Sequence, residues 1–193
     1  SYFPTDFGEE LSVVTTPDGE STEIPIVENT PLLAQAAIGQ YDVAATPLQM
    51  ALVASTIAGN GSTPTPYLVK EILNHKGEIV TLTSDSIWQQ TMESATSELL
   101  RESMEEVVNN GTAHRLAING LTIGAKTGTA QISSDNTETH AWIVGFAGYP
   151  ENPPSVAFAV FIEADPAEGE QTGGRVAAPI AREILLEIFQ IND

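Results

Sequence analysis

Cysteine is absent from the 193-residue sequence. This absence excludes disulfide bonds, cysteine-ligated zinc and thiol nucleophiles together. A chain without cysteine is compatible with an oxidising compartment, but it does not require one. Sites that depend on a thiolate ligand or a thiol nucleophile are therefore excluded.

Basic side chains are the second shortage. Seven Lys and Arg stand against 26 Asp and Glu, which leaves a formal net charge of −19 with neutral His. Nucleic-acid binding needs clustered Lys and Arg, so we expect no nucleic-acid partner. The same balance disfavours adsorption to an anionic membrane surface. The acidic residues are scattered singly or in pairs, which is typical of a solvated acidic surface.

Long apolar runs are also missing. No stretch of about 18 apolar residues occurs, so the sequence predicts no transmembrane helix. The first residues, Ser1 to Asp6, do not resemble a signal peptide and include no initiator Met. We interpret the chain as processed or truncated.

The apolar residues that are present suffice for one hydrophobic core, because they make up 41% of the chain. At roughly 150 residues per domain, the length corresponds to one domain or most of one. Residues 1–30 contain Pro4, Pro17 and Pro25 and the turn signal Asp18-Gly19. We therefore expect an irregular segment or loop over 1–30, followed by a folded portion over 31–193.

The order of the predicted elements in 31–193 defines the fold class. Apolar periodicity and end signals predict helices over 31–38, 47–58, 94–110 and 176–189. They also predict a hairpin of strands 67–73 and 78–82, then strands over 121–132, 140–149 and 155–163. The two connections between these last three strands, roughly 133–139 and 150–154, are short enough for hairpins, which predicts an antiparallel meander. The chain is therefore predicted to be α+β, with helices packed on an antiparallel sheet.

Helical spacing also predicts which helix faces are buried. In the predicted helix 47–58 the shared face consists of Met50, Val53, Ala54 and Ile57. In the helix 94–110 it consists of Leu99, Leu100, Met104, Val107 and Val108. In the helix 176–189 it consists of Ala178, Ala181, Ile184, Leu185 and Ile188.

The sharpest candidate for a site is the strand segment Lys126-Thr127-Gly128-Thr129. Gly128 leaves the strand face open, so that a ligand backbone can approach closely. Thr127 and Thr129 point to the same side at period two and offer two hydroxyls. Together with Lys126 they could bind a carboxylate, and a free N–H of this strand could stabilise an oxyanion.

Other polar and aromatic residues have a structural interpretation. We expect Trp142 to pack on the sheet face, Trp88 to pack locally and His75 to be a solvated turn residue. His114 is expected at the surface, and His140 is a weak candidate for the cleft. The loop 165–174 carries scattered acidic residues, and no metal site is expected there.

These motifs resemble those of class B penicillin-binding proteins. Lys-Thr-Gly is one of three boxes of these proteins and of class A β-lactamases, the others being Ser-x-x-Lys and Ser-x-Asn. The resemblance extends beyond this box and covers residues from about 31 to the end. Its further segments are 37–40 (Ala-Ile-Gly-Gln), 46–51 (Thr-Pro-Leu-Gln-Met-Ala), 107–113 (Val-Val-Asn-Asn-Gly-Thr-Ala), 140–147 (His-Ala-Trp-Ile-Val-Gly-Phe-Ala) and 177–181 (Ala-Ala-Pro-Ile-Ala).

The resemblance implies the C-terminal part of a transpeptidase domain, with the penicillin-binding-protein and β-lactamase-like fold. It implies that Lys126 helps to bind the substrate and takes part in proton transfer. Thr127 and Thr129 would hold the terminal carboxylate of a D-Ala-D-Ala stem peptide or of a β-lactam. The backbone N–H of Thr129 would be half of the oxyanion hole, and Gly128 would keep the cleft wall low. No metal or other cofactor is implied.

The sequence departs from the family pattern in one respect that matters for activity. No Ser is followed three positions later by Lys, so the nucleophile box is absent. The one literal Ser-x-Asn, at 134–136, follows Lys-Thr-Gly instead of preceding it, and a polar hairpin loop explains it. We therefore expect the chain alone to be inactive, although the parent protein would be a serine acyl-transfer enzyme.

The resemblance also implies a partner for the last strand. In this family the sheet has five strands, and the first two come from an N-terminal part that would flank strand 155–163. That strand is almost wholly apolar, and an exposed edge of this kind invites pairing. We expect it to pair with the N-terminal part of the same protein, with another copy, or with a strand from residues 1–30. The family implies an extracytoplasmic location at the cell surface, with a membrane anchor upstream.

Two alternatives to a transpeptidase fragment remain. One is a non-catalytic module that binds cell-wall peptides or β-lactams, which the upstream boxes of the intact protein would distinguish. The other is a serine β-lactamase, which shares the Lys-Thr-Gly box. The 46–51 segment and the Gly111-Thr112-Ala113 segment argue against the β-lactamase.

Overall fold

The central element of the fold is a three-stranded antiparallel sheet. The computed structural model describes residues 34, 36–40, 43–131, 139–165, 167, 169 and 171–191. Strands β5 (Thr122–Gln131), β6 (Thr139–Gly148) and β7 (Val156–Ile162) pair in the order β5-β6-β7. The predicted meander is confirmed, and its strand ends fall within a few residues of the predicted ones. In the described sheet, β5 and β7 are the two edge strands.

The two faces of this sheet are covered by different helices. Residues at alternate positions of β5 and β6 face α3 (Ala178–Phe189) and the 3₁₀ turn His114–Leu116, with which they form the larger core. Its fully buried members include Ala125, Ile143, Leu116 and Leu185. The opposite face carries Phe146, which packs in a smaller core beneath α1 (Pro47–Ala58) and α2 (Ser94–Asn109).

Helix α1 begins as predicted. The Thr46 hydroxyl accepts the Gln49 N–H, the Gln49 side chain accepts the Thr46 N–H, and Pro47 occupies the first turn. The predicted buried face is wrong at Val53, which is exposed, whereas Thr56 is buried. Thr56 is tolerated there because its hydroxyl bonds the Leu52 carbonyl and the Thr63 hydroxyl.

Helix α2 has nearly the predicted bounds, but its buried face differs at the N-terminal half. Ser97, Met104 and Val108 are buried, whereas Leu99 is 64% exposed. Leu99 precedes Met104 by five residues and so lies about 140° around the helix from it. No described element covers that side of the helix, so the predicted burial of Leu99 is wrong, and Leu100 is also exposed.

The C-terminal helix is preceded by a single π-helical turn, Gly173–Ala177. Ala178, Ala181 and Leu185 are buried as predicted, but Ile184 and Ile188 are exposed. A Cβ on Gly173 would lie 1.9 Å from the Trp142 carbonyl oxygen, so this turn lies directly against β6. Glycine is required there by close approach and not by its backbone angle.

Two small ribbons lie apart from the sheet. Strands β2 (Glu71–Leu73) and β3 (Ile79–Leu82) form the predicted hairpin, although both are shorter than expected and every residue in them is exposed. Strands β1 (Ser62–Pro64) and β4 (Ile87–Gln90) form a second antiparallel pair that the sequence did not reveal.

Some predictions fall on residues outside the described part. Of the predicted helix 31–38, only residues 34, 36 and 37 are described as helical. The literal Ser-x-Asn at 134–136 and residues 1–30 lie outside the described residues. Within the described ranges, no helix combines the length and apolar character needed to cross a membrane.

Candidate functional site

Strand β5 presents the Lys126–Thr129 segment at an open edge of the sheet. The Thr127 carbonyl accepts a hydrogen bond from Lys126 Nζ at 2.6 Å, and the Thr129 carbonyl accepts one from Gln40 Nε2 at 3.0 Å. Because side-chain donors, Lys126 Nζ and Gln40 Nε2, bond to these carbonyls, we infer that both carbonyls point away from β6. The N–H and C=O of one residue in an antiparallel strand point to the same side. The Thr129 N–H is therefore directed to the open edge.

The side chains of the segment divide between the two faces of the sheet. Thr127 and Thr129 lie on the α3 side, in register with Ile143 and Ala141, as the predicted period of two requires. Lys126 and Gly128 lie on the α1 side. The sequence analysis grouped Lys126 with the Thr127 and Thr129 hydroxyls as one carboxylate site. In the structure Lys126 points to the opposite face of the sheet, and it approaches Thr127 only at the strand edge, where its Nζ donates to the Thr127 carbonyl.

A second threonine supports the hydroxyl of Thr127. The Oγ1 atoms of Thr112 and Thr127 lie 2.7 Å apart, and we call them the hydroxyl pair. Thr112 follows α2 in the Gly-Thr-Ala segment, where the Ala113 N–H bonds the Val107 carbonyl and fixes the turn. A threonine hydroxyl has one proton to donate, so a bond donated by Thr112 leaves the Thr127 proton for a ligand.

A cleft of about 340 Å³ lies against the α1 side of this edge. Trp142, Val144 and Met50 supply its apolar lining, and Gly39 and Gln40 lie at its rim. Among the described residues that line it, Lys126 is the one that carries a charge. The cleft therefore combines an apolar wall, one cation and an open strand edge, which suits an anionic, partly apolar ligand.

Trp142 is the aromatic residue of the cleft. Its ring lies 4.7 Å from the Phe161 ring on β7, so it packs on the sheet face as predicted while it also lines the cleft. A Cβ on Gly128 would meet the Trp142 Cβ at 3.2 Å, so the glycine keeps the wall low at this point.

His140 is held away from the cleft. Its Nδ1 accepts the Ala164 N–H at 2.9 Å, and its ring contacts Phe161 edge-on. The weak prediction that placed it near the cleft is therefore not supported by the residues that line the cleft. In the described part of the chain, no group of three His, Asp or Glu side chains is arranged to hold a metal ion.

Sequence reasoning missed two residues of this site. Gln40 is 89 positions from Thr129, and no periodic pattern links them. The sequence singled out its segment, 37–40, for the resemblance but gave Gln40 no role, and the adjacent Gly39 has a φ of 76° in the structure. Thr112 belongs to a segment that the sequence singled out for its resemblance, but without a role. Both contacts depend on chain crossings that local patterns do not encode.

Comparison with known proteins identifies the family of the chain. Residues 6–186 match the model of the penicillin binding protein transpeptidase domain family, a range that begins upstream of residue 31. The peptidoglycan D,D-transpeptidase PbpA of Mycolicibacterium smegmatis is 40% identical over 167 residues, which cover 84% of this chain and 33% of that protein. Stage V sporulation protein D of Bacillus subtilis is 32% identical over 184 residues, which cover 93% of this chain and 28% of that protein.

Solved structures show the same relationship. The crystal structure of PBPA from Mycobacterium tuberculosis superimposes with a TM-score of 0.71 at 34% identity, over 86% of this chain and 40% of that one. The ceftriaxone acyl-enzyme complex of the same protein superimposes with a TM-score of 0.72 at 32% identity, over 86% and 37% of the two chains.

The chain belongs to the penicillin-binding protein transpeptidase domain family. Its fold is the α+β fold of that family, as predicted. The chain spans about a third of the length of the curated relatives that it matches.

Proposed function

We propose that this chain is the C-terminal part of the catalytic domain of a peptidoglycan D,D-transpeptidase, which cross-links cell-wall stem peptides and reacts with β-lactams. The observation that carries the proposal is the open edge of β5. There the outward Thr129 N–H lies beside a lysine and the hydroxyl pair, at the rim of an apolar cleft.

The proposed roles follow from the charges in the reaction. A D-Ala-D-Ala terminus carries a carboxylate, which the Thr127 hydroxyl binds with the positive charge of Lys126 nearby. Attack by a serine Oγ on the preceding carbonyl moves negative charge onto its oxygen, which the outward Thr129 N–H stabilises. The terminal D-Ala leaves as an amine, and the acyl-serine ester is then attacked by the amine of a second stem peptide.

The nucleophile and its base come from outside this chain. No Ser-x-x-Lys occurs in the 193 residues, so the chain supplies a binding wall and one oxyanion donor. We propose that an N-terminal part of the same protein supplies the serine and pairs with the outer edge of β7, with a second copy as the other candidate. The protein would work on the outer side of the membrane, held by an upstream anchor.

Labelling with a fluorescent penicillin tests the proposal. The isolated chain should remain unlabelled, whereas the intact protein should label covalently. Labelling of the isolated chain would contradict the proposal that the chain lacks the nucleophilic serine. Reversible binding without covalent labelling of the intact protein would favour a non-catalytic binding module, and rapid release of the bound penicillin would favour a β-lactamase.

Replacement of the lysine tests its role in the intact protein. Lys126→Ala should lower the acylation rate by about 10²-fold or more, because the cation and its proton transfer are both lost. Lys70→Ala, which removes a lysine beside the exposed β2–β3 hairpin, is the matched control and should label normally. Wild-type acylation by Lys126→Ala would remove this lysine from the site.

A further inference from the structure

Gln40 occupies a position on the ligand-binding edge to which neither the sequence nor the proposed reaction assigns a role. Its Nε2 donates to the Thr129 carbonyl at 3.0 Å, and the side chain is half-buried at the rim of the cleft. Thr129 is the residue whose N–H is proposed to stabilise the oxyanion. The carbonyl of the same residue is thus already occupied by a side chain of this chain.

Antiparallel pairing defines what a bound ligand needs from Thr129. In a hydrogen-bonded pair, the two facing residues exchange both bonds, so each donates its N–H to the carbonyl of the other. A ligand residue whose carbonyl oxygen sits at the Thr129 N–H therefore directs its own N–H to the Thr129 carbonyl. This is the mode in which an extended peptide adds to a sheet edge. Gln40 holds the acceptor that this N–H requires.

We propose that Gln40 is a displaceable cap on this edge and a specificity-determining residue. Binding of a ligand with an N–H on the acyl residue replaces the Gln40 bond with its own. A ligand that has no group at this position leaves Gln40 in place. The inference rests on the proposed function, because it assumes that the reacting carbonyl sits at the Thr129 N–H.

The cap has a measurable effect on selectivity. A ligand that displaces Gln40 exchanges one hydrogen bond for another, so part of its binding free energy is offset. Gln40→Met keeps the length of the side chain and removes its donor, so the displacement no longer costs a bond. For such a ligand the acylation rate should rise about fivefold, which corresponds to one net hydrogen bond of about 1 kcal/mol.

Two penicillins separate this effect from a general loss of geometry. Benzylpenicillin carries an acylamino N–H next to its lactam carbonyl, whereas penicillanic acid has the same bicyclic nucleus and carboxylate with only hydrogen at that carbon. Second-order acylation rates are measured on the intact protein by competition with a fluorescent penicillin. The ratio of the benzylpenicillin rate to the penicillanic acid rate should rise about fivefold in Gln40→Met.

A matched control and the possible outcomes complete the test. Gln89→Met makes the same change on exposed strand β4, away from the cleft, and should leave the ratio at the wild-type value. An unchanged or lower ratio in Gln40→Met overturns the inference. Such a result would mean that Gln40 and the ligand bond the Thr129 carbonyl at the same time, or that Gln40 only holds the strand in place. Failure of the wild-type protein to acylate overturns the proposed function and this inference with it.

Discussion

Gly173 is the position where one added methyl group should have the largest effect on the site. A Cβ there would lie 1.9 Å from the Trp142 carbonyl oxygen and 3.0 Å from both the Trp142 carbonyl carbon and the Gly128 carbonyl oxygen. All three opposing atoms belong to the backbone, so no rotamer change can relieve the contact. Either the π-helical turn must lift or the 128–142 pair of the sheet must shift.

The size of the effect follows from that distance. Real Cβ contacts essentially never fall below 3.0 Å, so Gly173→Ala requires a backbone shift of roughly 1 Å. Overpacking of this kind typically costs about 1–3 kcal/mol, against a gain of about 0.4–1 kcal/mol from the less flexible unfolded chain. We expect a net loss of about 1–2 kcal/mol in the free energy of unfolding.

Urea denaturation of the chain and penicillin labelling of the intact protein measure the two consequences. A shift of about 1 Å beneath Gly128 should lower the acylation rate by about 10²-fold. Gly120→Ala is the matched control, because Gly120 has φ of 85° and open space around its Cβ position. It should lose about 1 kcal/mol through backbone strain alone and label normally. If Gly173→Ala had the stability and the labelling rate of the wild type, the close approach of Gly173 to the Trp142 carbonyl would be refuted.

Three further changes test other contacts. Thr112→Val in the intact protein removes one member of the hydroxyl pair and should slow acylation about fivefold, with Thr112→Ser close to wild type. Ser97→Ala should lower the free energy of unfolding by about 1–3 kcal/mol in urea denaturation, because it leaves the buried Ile57 carbonyl without its 2.6 Å bond. The hydrogen bond that the Tyr67 hydroxyl donates to Asp85 raises the pKa of Tyr67 above its ordinary value of 10.0. The contact therefore stabilises the fold at pH values below 10.0, and this stabilisation is lost as the pH rises through the raised pKa. Asp85→Asn should lower that pKa in an ultraviolet titration, and an unchanged titration would contradict the contact.

The central sheet was predictable because its signals are local. The apolar strands and the Thr46-Pro47 helix start each depend on neighbouring residues, and the described part of the chain has both. The Lys126–Thr129 segment was predictable for the same reason, since an alternating strand fixes which side chains share a face.

Burial on the helices was less predictable, because it depends on what lies opposite. Leu99 has an apolar side chain at helical spacing, but no described element faces it. Ser97 is polar and nevertheless fully buried, because the Ile57 carbonyl happens to lie within reach of its hydroxyl. The Gln40 bond likewise arises from a crossing of segments 89 residues apart. Sequence periodicity carries no information on such partners.

The side-chain bonds on the outer edge of β5 also affect how the protein behaves in a concentrated solution. A strand edge with vacant carbonyls templates the addition of foreign strands and so promotes β-aggregation. At Thr127 and Thr129, an incoming strand would first have to displace Lys126 and Gln40. Lys126 and Gln40 therefore also protect this edge against fibril-like association. Gln40→Met should make the protein less soluble, as well as more reactive toward ligands with an N–H on the acyl residue.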